Sequence, residues 1–262
     1  NVLKLKSLGH QFIGPELGDM AFGEYGEGKM SDPKNIAKFL DNHFGKSQRG
    51  KGFKTLVTAG PTREYIDPVR YLSNRSSGKQ GFEIAKAMRS SGFDTTLISG
   101  PTNLKPVEGV KMISVNSAQE MLDATLGNLP TDVAIFSAAV SDWKFINTKL
   151  NKIKKSDKLE LKLEKNIDIL AHVSKHNSLR PRLVIGFSAE TEELEKNSIQ
   201  KLNDKNCDWI VANDVSNKSI GFDTNYNEVT IYYKNKNKEK IIKTKKSIIA
   251  ESIVDRVLSE LN

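Results

Sequence analysis

Five apolar runs dictate how this chain can fold: Thr55–Val57, Thr96–Ile98, Val133–Phe136, Leu183–Ile185 and Trp209–Val211. Between and after them lie segments with helical character: GFEIAKAMRSSG, SAQEMLDATLG, NIDILAHVSKH, TEELEKNSIQKLNDKN and SIIAESIVDRVLSEL. Ser117 and Glu120 have the spacing of a capping box, which opens a helix. Strands alternating with helices imply a mostly parallel sheet with helices on both faces. The pattern therefore predicts an α/β, Rossmann-like body. VKMISV adds a strand, EVTIYY and KIIKTK form a hairpin extension, and the strictly alternating LELKLEK reads as a half-exposed strand.

The first fifty residues differ. GPELGDMAFGEYGEGKMSDP is glycine-rich without periodicity, PKNIAKFLDNHF reads as a helix, and KSQRGKG is a polar linker. The expected organisation is residues 1–45, a linker at 46–52, and the α/β domain at 53–262. With 37% hydrophobic and 27% charged residues, the composition is ordinary for a soluble protein. No apolar run approaches the roughly 20 residues of a membrane span, and NVLKLKSLGHQFIG lacks a signal-peptide core. Cys207 is the single cysteine, so no internal disulfide forms, and its place at a strand start points to packing. A cytoplasmic location is the expectation. The net charge of +8 is concentrated in Lys234–Lys246, between strand-like and helical segments and without interleaved aromatics. That favours a solvated hairpin tip over base stacking, while the positive charge suits small phosphorylated substrates.

Each apolar run exits into small or polar residues: TAGPTRE, SGPT, SAAVSD, GFSAET and ANDVS. In a parallel sheet these exits lie along one edge, where ligands bind. Gly60, Ala138, Ala139, Gly186 and Ala189 are expected to let a ligand approach the backbone. The connection from Thr58 to Ala85 is much longer than the about 2–6 residues a strand-to-helix turn needs. Neither standard nucleotide motif fits it: Pro61 follows Gly60 with no second glycine in register, and Gln80 follows Gly78-Lys79 where a P-loop needs Ser or Thr. Ser76, Ser77, Gly78, Lys79 and Gly81 nonetheless open a helix, and free N–H groups at a helix start suit a phosphate or carboxylate. Asp142 with Lys152–Lys155 forms a second constellation, lysines acting as point charges on polyphosphate. Lys201 and Lys205 share a helix face, which spacing alone assigns to solvent.

TAGPTREYIDPVRYLSNRSSGKQG, SAAVSDW, KIKK, KNIDIL, GFSAET and IVANDV, in this order, resemble the phosphopantothenate–cysteine ligase (phosphopantothenoylcysteine synthetase) family. The match is closer still to the ligase half of bifunctional bacterial coenzyme A biosynthesis proteins, and it covers Lys51 to the C-terminus. One departure is Ile167, where the family carries proline. The resemblance implies a CTP- and Mg2+-dependent ligase. The carboxylate of 4′-phosphopantothenate is activated as an acyl cytidylate with loss of pyrophosphate, and the amine of L-cysteine then displaces CMP. It also implies roles for residues. Asp142 and Ser137, Ala138 and Ala139 hold the cytidine, while Asp168, Ile169, Leu170, Ala171 and Phe187 line the nucleotide pocket. Lys152, Lys201 and Lys205 contact the triphosphate, which displaces the solvent reading of the latter two. Asn74 holds the activated acyl group and Arg70 supports that second step. A homodimer through the strands near KLELKLEK and EVTIYY is implied, or a larger oligomer in a full-length protein. Positioning and charge neutralisation suffice for nucleotidyl transfer, which suits a site without a Ser/His pair; none of the four histidines falls in a motif.

GPELGDMAFGEYGEGKMSDP resembles the substrate flap of the partner flavin-dependent decarboxylase, with Phe22 where that family has its catalytic cysteine. No decarboxylase activity and no FMN are expected of this chain, which reads as a fragment of a longer protein. Two other classes fit parts of the pattern. A nicotinamide-dependent oxidoreductase lacks its glycine fingerprint here. A basic nucleic-acid-binding module would bind DNA with steep salt dependence. No nucleic-acid or membrane partner is expected.

Overall fold

The computed structural model describes residues 1–8, 10–19, 24–40, 49–155, 160–216 and 224–261; Phe22 and the linker residues Lys46–Gln48 lie outside them. The chain forms two compact units, Asn1–Arg49 and Gly50–Asn262. Among the described residues, no helix is long and apolar enough to cross a membrane.

In the first unit, helix α1 (Val2–Ser7) precedes strands β1 (Glu16–Asp19) and β2 (Tyr25–Lys29), which pair antiparallel with Gly18 opposite Gly26. This hairpin has no signature in the sequence: most of its side chains are exposed, so no apolar face imposes an alternation. Helix α2 (Pro33–Leu40) opens with proline, whose missing N–H costs nothing there, and Asp32 accepts the Lys34 N–H at 2.7 Å. The second half of the expected helix, from Asp41, lies outside the described residues.

The second unit is built on one eight-stranded sheet. Its strands are β3 (Lys54–Ala59), β6 (Asp94–Ser99), β7 (Lys111–Ser114), β8 (Val133–Phe136), β11 (Leu183–Glu190), β12 (Trp209–Asp214), β13 (Tyr226–Tyr233) and β14 (Lys238–Lys245). Two short antiparallel pairs stand outside it: β4 (Arg63–Tyr65) with β5 (Tyr71–Ser73), and β9 (Trp143–Phe145) with β10 (Leu163–Lys165). The helices are α3 (Lys79–Ser90), α4 (Ala118–Leu126), α5 (Ile169–Ser174), α6 (Leu194–Lys205) and α7 (Lys246–Leu261).

The order across the sheet is β14-β13-β12-β11-β8-β3-β6-β7, and β7 through β12 run parallel. Chain order therefore reverses direction between β3 and β8, the topological switch point of a doubly wound fold. Successive residues of the central strands bury on opposite sides. Val57, Ile135, Ile185 and Val211 join one core with Ile84, Met88, Ile253 and Val257 of α3 and α7. Leu56, Ala134, Val184 and Ile210 join the other with Met121, Leu170 and Leu202 of α4, α5 and α6. Cover on both faces is why these strands read as unbroken apolar runs. Ser117 caps α4 as expected, accepting the Glu120 N–H at 3.2 Å, while the Glu120 carboxylate accepts the Asn116 N–H at 2.9 Å.

LELKLEK departs from expectation. Leu159 lies outside the described residues; of the rest, Leu163–Lys165 is strand, paired with β9 away from the main sheet, and all three of its residues are exposed, Leu163 by 43%. The long connection after β3 contains the β4–β5 hairpin, which was not legible because each strand has three residues.

Gly81 on the first turn of α3 marks a close approach. A Cβ there would stand 2.5 Å from Ser137 Oγ and 2.6 Å from Ala59 Cβ. Gly81→Ala is expected to force α3 off β3 and cost about 1–3 kcal/mol, read as a lower urea midpoint with unchanged m-value.

Candidate functional site

The two strands flanking the switch point do not part where their ladder ends. Ser137 N–H donates to the Thr58 carbonyl (3.2 Å), Ala139 N–H to the Gly60 carbonyl (2.9 Å) and Ser141 N–H to Thr62 Oγ1 (2.9 Å), with a parallel bridge between Pro61 and Ala139. SAAVSD is thereby laid along TAGPT as a rigid backbone floor. Asn166 fastens the next loop to it: its N–H donates to the Asp142 carbonyl and its side-chain amide to the Ser141 carbonyl, both at 2.9 Å. Asn74 reaches in from the end of β5 and donates through Nδ2 to the Val140 carbonyl at 2.9 Å.

These segments enclose a cleft of about 930 Å3, within the size range of small-molecule sites. Of the residues expected at the site, it gathers Asn74, Ser76, Ser77, Gly78, Lys79, Gly81, Ser137, Ala138, Ala139, Asp142, Asp168, Ile169, Leu170, Phe187, Lys201 and Lys205. Arg70, Lys152 and Ala171 do not line it. Ala171 gives its backbone N–H to the Asp168 carboxylate at 2.8 Å, the N-cap of α5. Of the small residues, Ala138, Ala139 and Ala189 line the cleft; Gly60 and Gly186 do not. Gly60 packs against Gly100 and Thr102, and Gly186 against Leu170 and Ile210, so both serve protein packing.

The start of α3 borders the cleft. Its N-cap is Gly78 in the left-handed region (φ 74°), which has no side chain to cap the first turn, and no acid lies in that turn. Ser76 Oγ instead accepts the Gly78 N–H at 3.3 Å. The N-terminal end of a helix dipole at the border of a cleft favours an anion. On the opposite wall, Lys205 is paired with the Asp168 carboxylate. Burial pulls the Lys201 ammonium below the usual lysine range, and the charges of Glu190, Asp168 and Asp142 oppose that loss.

Lys152 belongs to a strap tied down nearby. The buried Asp67 carboxylate accepts the Val69 N–H (2.8 Å), the Arg70 N–H (2.9 Å) and the Ile153 N–H (3.1 Å). The Arg70 guanidinium donates to the Ile153 carbonyl at 2.6 Å. Arg70 and Lys152 are thus neighbours through Ile153.

Asn213, Asn227, Lys165 and Lys246 also line the cleft, beyond the residues that the sequence points to. Asn213 was within reach, since it stands in the ANDV exit. Asn227 and Lys246 come from the antiparallel hairpin and the helix after it, whose placement strand exits do not reveal. Among the described residues, no cluster of three or more His, Cys, Asp or Glu could hold a metal.

A mostly parallel, doubly wound sheet with a cleft at its switch point defines a Rossmann-like α/β protein. The chain belongs to the family described as the DNA/pantothenate metabolism flavoprotein C-terminal domain, whose model matches residues 50–261. It is 41% identical over 255 residues to the coenzyme A biosynthesis bifunctional protein CoaBC of Haemophilus influenzae, covering 97% of this chain and 63% of that protein. With the CoaBC proteins of Vibrio parahaemolyticus and Vibrio vulnificus included, the chain spans 59–63% of these relatives' length. The crystal structure of a CoaBC C-terminal domain superposes with a TM-score of 0.69 at 36% identity, covering 82% of this chain and 98% of that one. A Streptococcus pneumoniae DNA/pantothenate metabolism flavoprotein superposes at 0.67 with 25% identity, covering 79% and 99%.

Burial would raise the Asp67 carboxyl, but the N–H groups of Ile153, Val69 and Arg70 and the Arg70 charge hold it below the ordinary carboxylate value. A depressed folded value means the contribution is full above the unfolded value of about 4 and lost as pH falls through the folded one. Asp67→Asn is expected to lower the urea midpoint at neutral pH, and the gap from wild type should close on acidification below about pH 4.

Proposed function

We propose that this chain catalyses the ligation of 4′-phosphopantothenate to L-cysteine, with CTP consumed to CMP and pyrophosphate. The observation that carries this reading is the gathering of Asn74, Asp142, the start of α3 and the α6 lysines around one cleft. The names of the relatives, which place those proteins in coenzyme A biosynthesis, support it.

The carboxylate oxygen of phosphopantothenate attacks the α-phosphorus of CTP, the bond to the bridging oxygen breaks, and pyrophosphate leaves. The cysteine amine then attacks the acyl carbon of the acyl cytidylate, and CMP departs with the bonding pair. The backbone at Ser137–Ala139 and the side chain of Asp142 hold the cytidine, with Ile169, Leu170 and Phe187 as an apolar wall. Lys201 and Lys205 neutralise the triphosphate. The N–H groups at the start of α3, with Ser76 and Ser77, receive the phosphate of phosphopantothenate. Asn74, fixed by its bond to Val140, orients the acyl group. Asp142 at the rim would help hold a magnesium ion brought by the nucleotide, which would neutralise charge on the phosphates.

Lys152 and Arg70 act from outside the cleft of their own chain. In the homodimer proposed here the strap carries Lys152 to the partner's nucleotide, and the exposed Trp143, Ile146 and Leu163 beside it form the contact. The partners are thus small-molecule substrates and a second copy of the chain, and the site of action is the cytoplasm. FMN plays no part: the chemistry proposed needs no redox group, and flavin absorbance in the purified chain would contradict this.

Pyrophosphate release without cysteine separates the half-reactions. Wild type should release it with CTP, less with ATP, and only when phosphopantothenate is present; no release with either nucleotide overturns the reading. Lys152→Gln is expected to slow that release by about 10- to 150-fold, the loss of one charged hydrogen bond. Asn74→Asp should leave release intact and slow amide formation, so that the acyl cytidylate accumulates.

A further inference from the structure

The β9–β10 pair ends with Trp143 opposite Lys165, and Asn166 carries the pairing one step further, into the cleft. Its N–H donates to the Asp142 carbonyl and its Nδ2 to the Ser141 carbonyl, both at 2.9 Å. The side-chain amide thus stands where the N–H of a continuing strand would. The backbone itself turns away there: two residues on, Asp168 is the N-cap of α5 and accepts the Ala171 N–H at 2.8 Å. Ser141 is the other end of the fastening. It is buried, its N–H donates to Thr62 Oγ1 at 2.9 Å, and its Oγ donates to the Trp143 carbonyl at 2.7 Å. With its carbonyl taken by Asn166, every polar group of Ser141 is engaged.

We propose that Asn166 is a positioning residue for the nucleoside, fixing Asp142 on the cleft floor against Asp168 and the start of α5. The inference rests on the ligase reading for the identity of the nucleoside, and on the two hydrogen bonds for the fastening. Asn166, Asp142 and Asp168 all line the cleft. Asp142 and Asp168 are both exposed, so core packing does not set their places and the backbone beneath them must. Asn166 holds that backbone on both sides: directly at Ser141 and Asp142, and through Ile167 to Asp168. Lys205 braces Asp168 from α6. The residue type suits the task. The Ser141 carbonyl needs one N–H donor, and an amide supplies it without charge. A lysine or arginine in the same place would add a cation beside Asp142 and Asp168. A slot whose walls are tied together before a ligand arrives spends less binding free energy on ordering them.

Asn166→Asp keeps the shape of the side chain but sets an oxygen against the Ser141 carbonyl; Asn166→Ala removes the side chain. Hydrogen exchange read by mass spectrometry on the ligand-free chain needs no nucleotide. In both variants, peptides spanning residues 138–143 and 166–169 should exchange about 5-fold faster, the loss of one hydrogen bond, with β6 and α7 unchanged. Unaltered exchange in the floor overturns the proposal, and so does faster exchange throughout the sheet, which would mark a merely structural residue. By calorimetry, CTP should bind either variant roughly 10-fold more weakly. Inorganic triphosphate, which lacks the nucleoside, should bind as it does to wild type; an equal loss for both ligands overturns the positioning role. In an Asp142→Ala background Asn166→Ala should add little to the loss of CTP affinity, whereas fully additive losses would count against a shared role. Wild type failing to bind CTP would strike the ligase reading, and the exchange result would still decide whether Asn166 ties the floor to the wall.

Discussion

The site depends on the parallel register that β3 and β8 keep after their ladder has ended. Thr58 with Ser137, Gly60 with Ala139 and Thr62 with Ser141 satisfy each other's polar groups in a place where an α/β fold would otherwise leave two frayed loops. A backbone so committed cannot shift to suit a ligand, and it offers only small side chains at its surface. Everything with chemistry must be brought to it: Asn74 by the return of the β4–β5 hairpin, the amide row by α3, and the ammonium groups by α6. Gly81 lets α3 sit low enough against β3 for its first turn to reach the same hollow.

The electrostatics of that hollow are balanced rather than simply positive. Lys205 is paired with Asp168, and that carboxylate also offsets the repulsion between Lys205 and Lys201 one helical turn away. In the proposed ligase reading, a triphosphate would compete with Asp168 for Lys205, a cation already oriented. The cost of desolvating and orienting it is met in folding, which is the sense in which a site is preorganised.

Much of this could be read from the chain itself. The doubly wound sheet followed from five apolar runs, because strands covered on both faces advertise themselves without ambiguity. The cleft followed from the small and polar exits of those runs. Asn227 and Lys246 were not visible, because one enters from an antiparallel strand and the other from the first residue of the helix after the hairpin. The hairpin β4–β5 is too short to show a period, and β1–β2 has no buried face to create one. Gly60 and Gly186 looked like places for a ligand but meet neighbouring protein, since glycine answers any close approach and sequence does not say whose. Lys152 was pointed to by the run of lysines after Asp142, and Arg70 by resemblance; their link through Ile153 and Asp67 is a property of the folded strap alone.

The hairpin at the margin of the main sheet gives the surplus of lysine a different meaning. β14 is a terminal strand of eight residues with most side chains in solvent, four of them lysine, and Ile242 among them is 73% exposed. Its outer row of amides and carbonyls would be a template on which a stray extended segment could add itself. Repeated ammonium groups along that border repel such a guest, whose own chain would have to desolvate them to dock. The basicity that first invited thoughts of a nucleic-acid ligand then acts as a fence, keeping a wide open sheet from growing beyond its last strand.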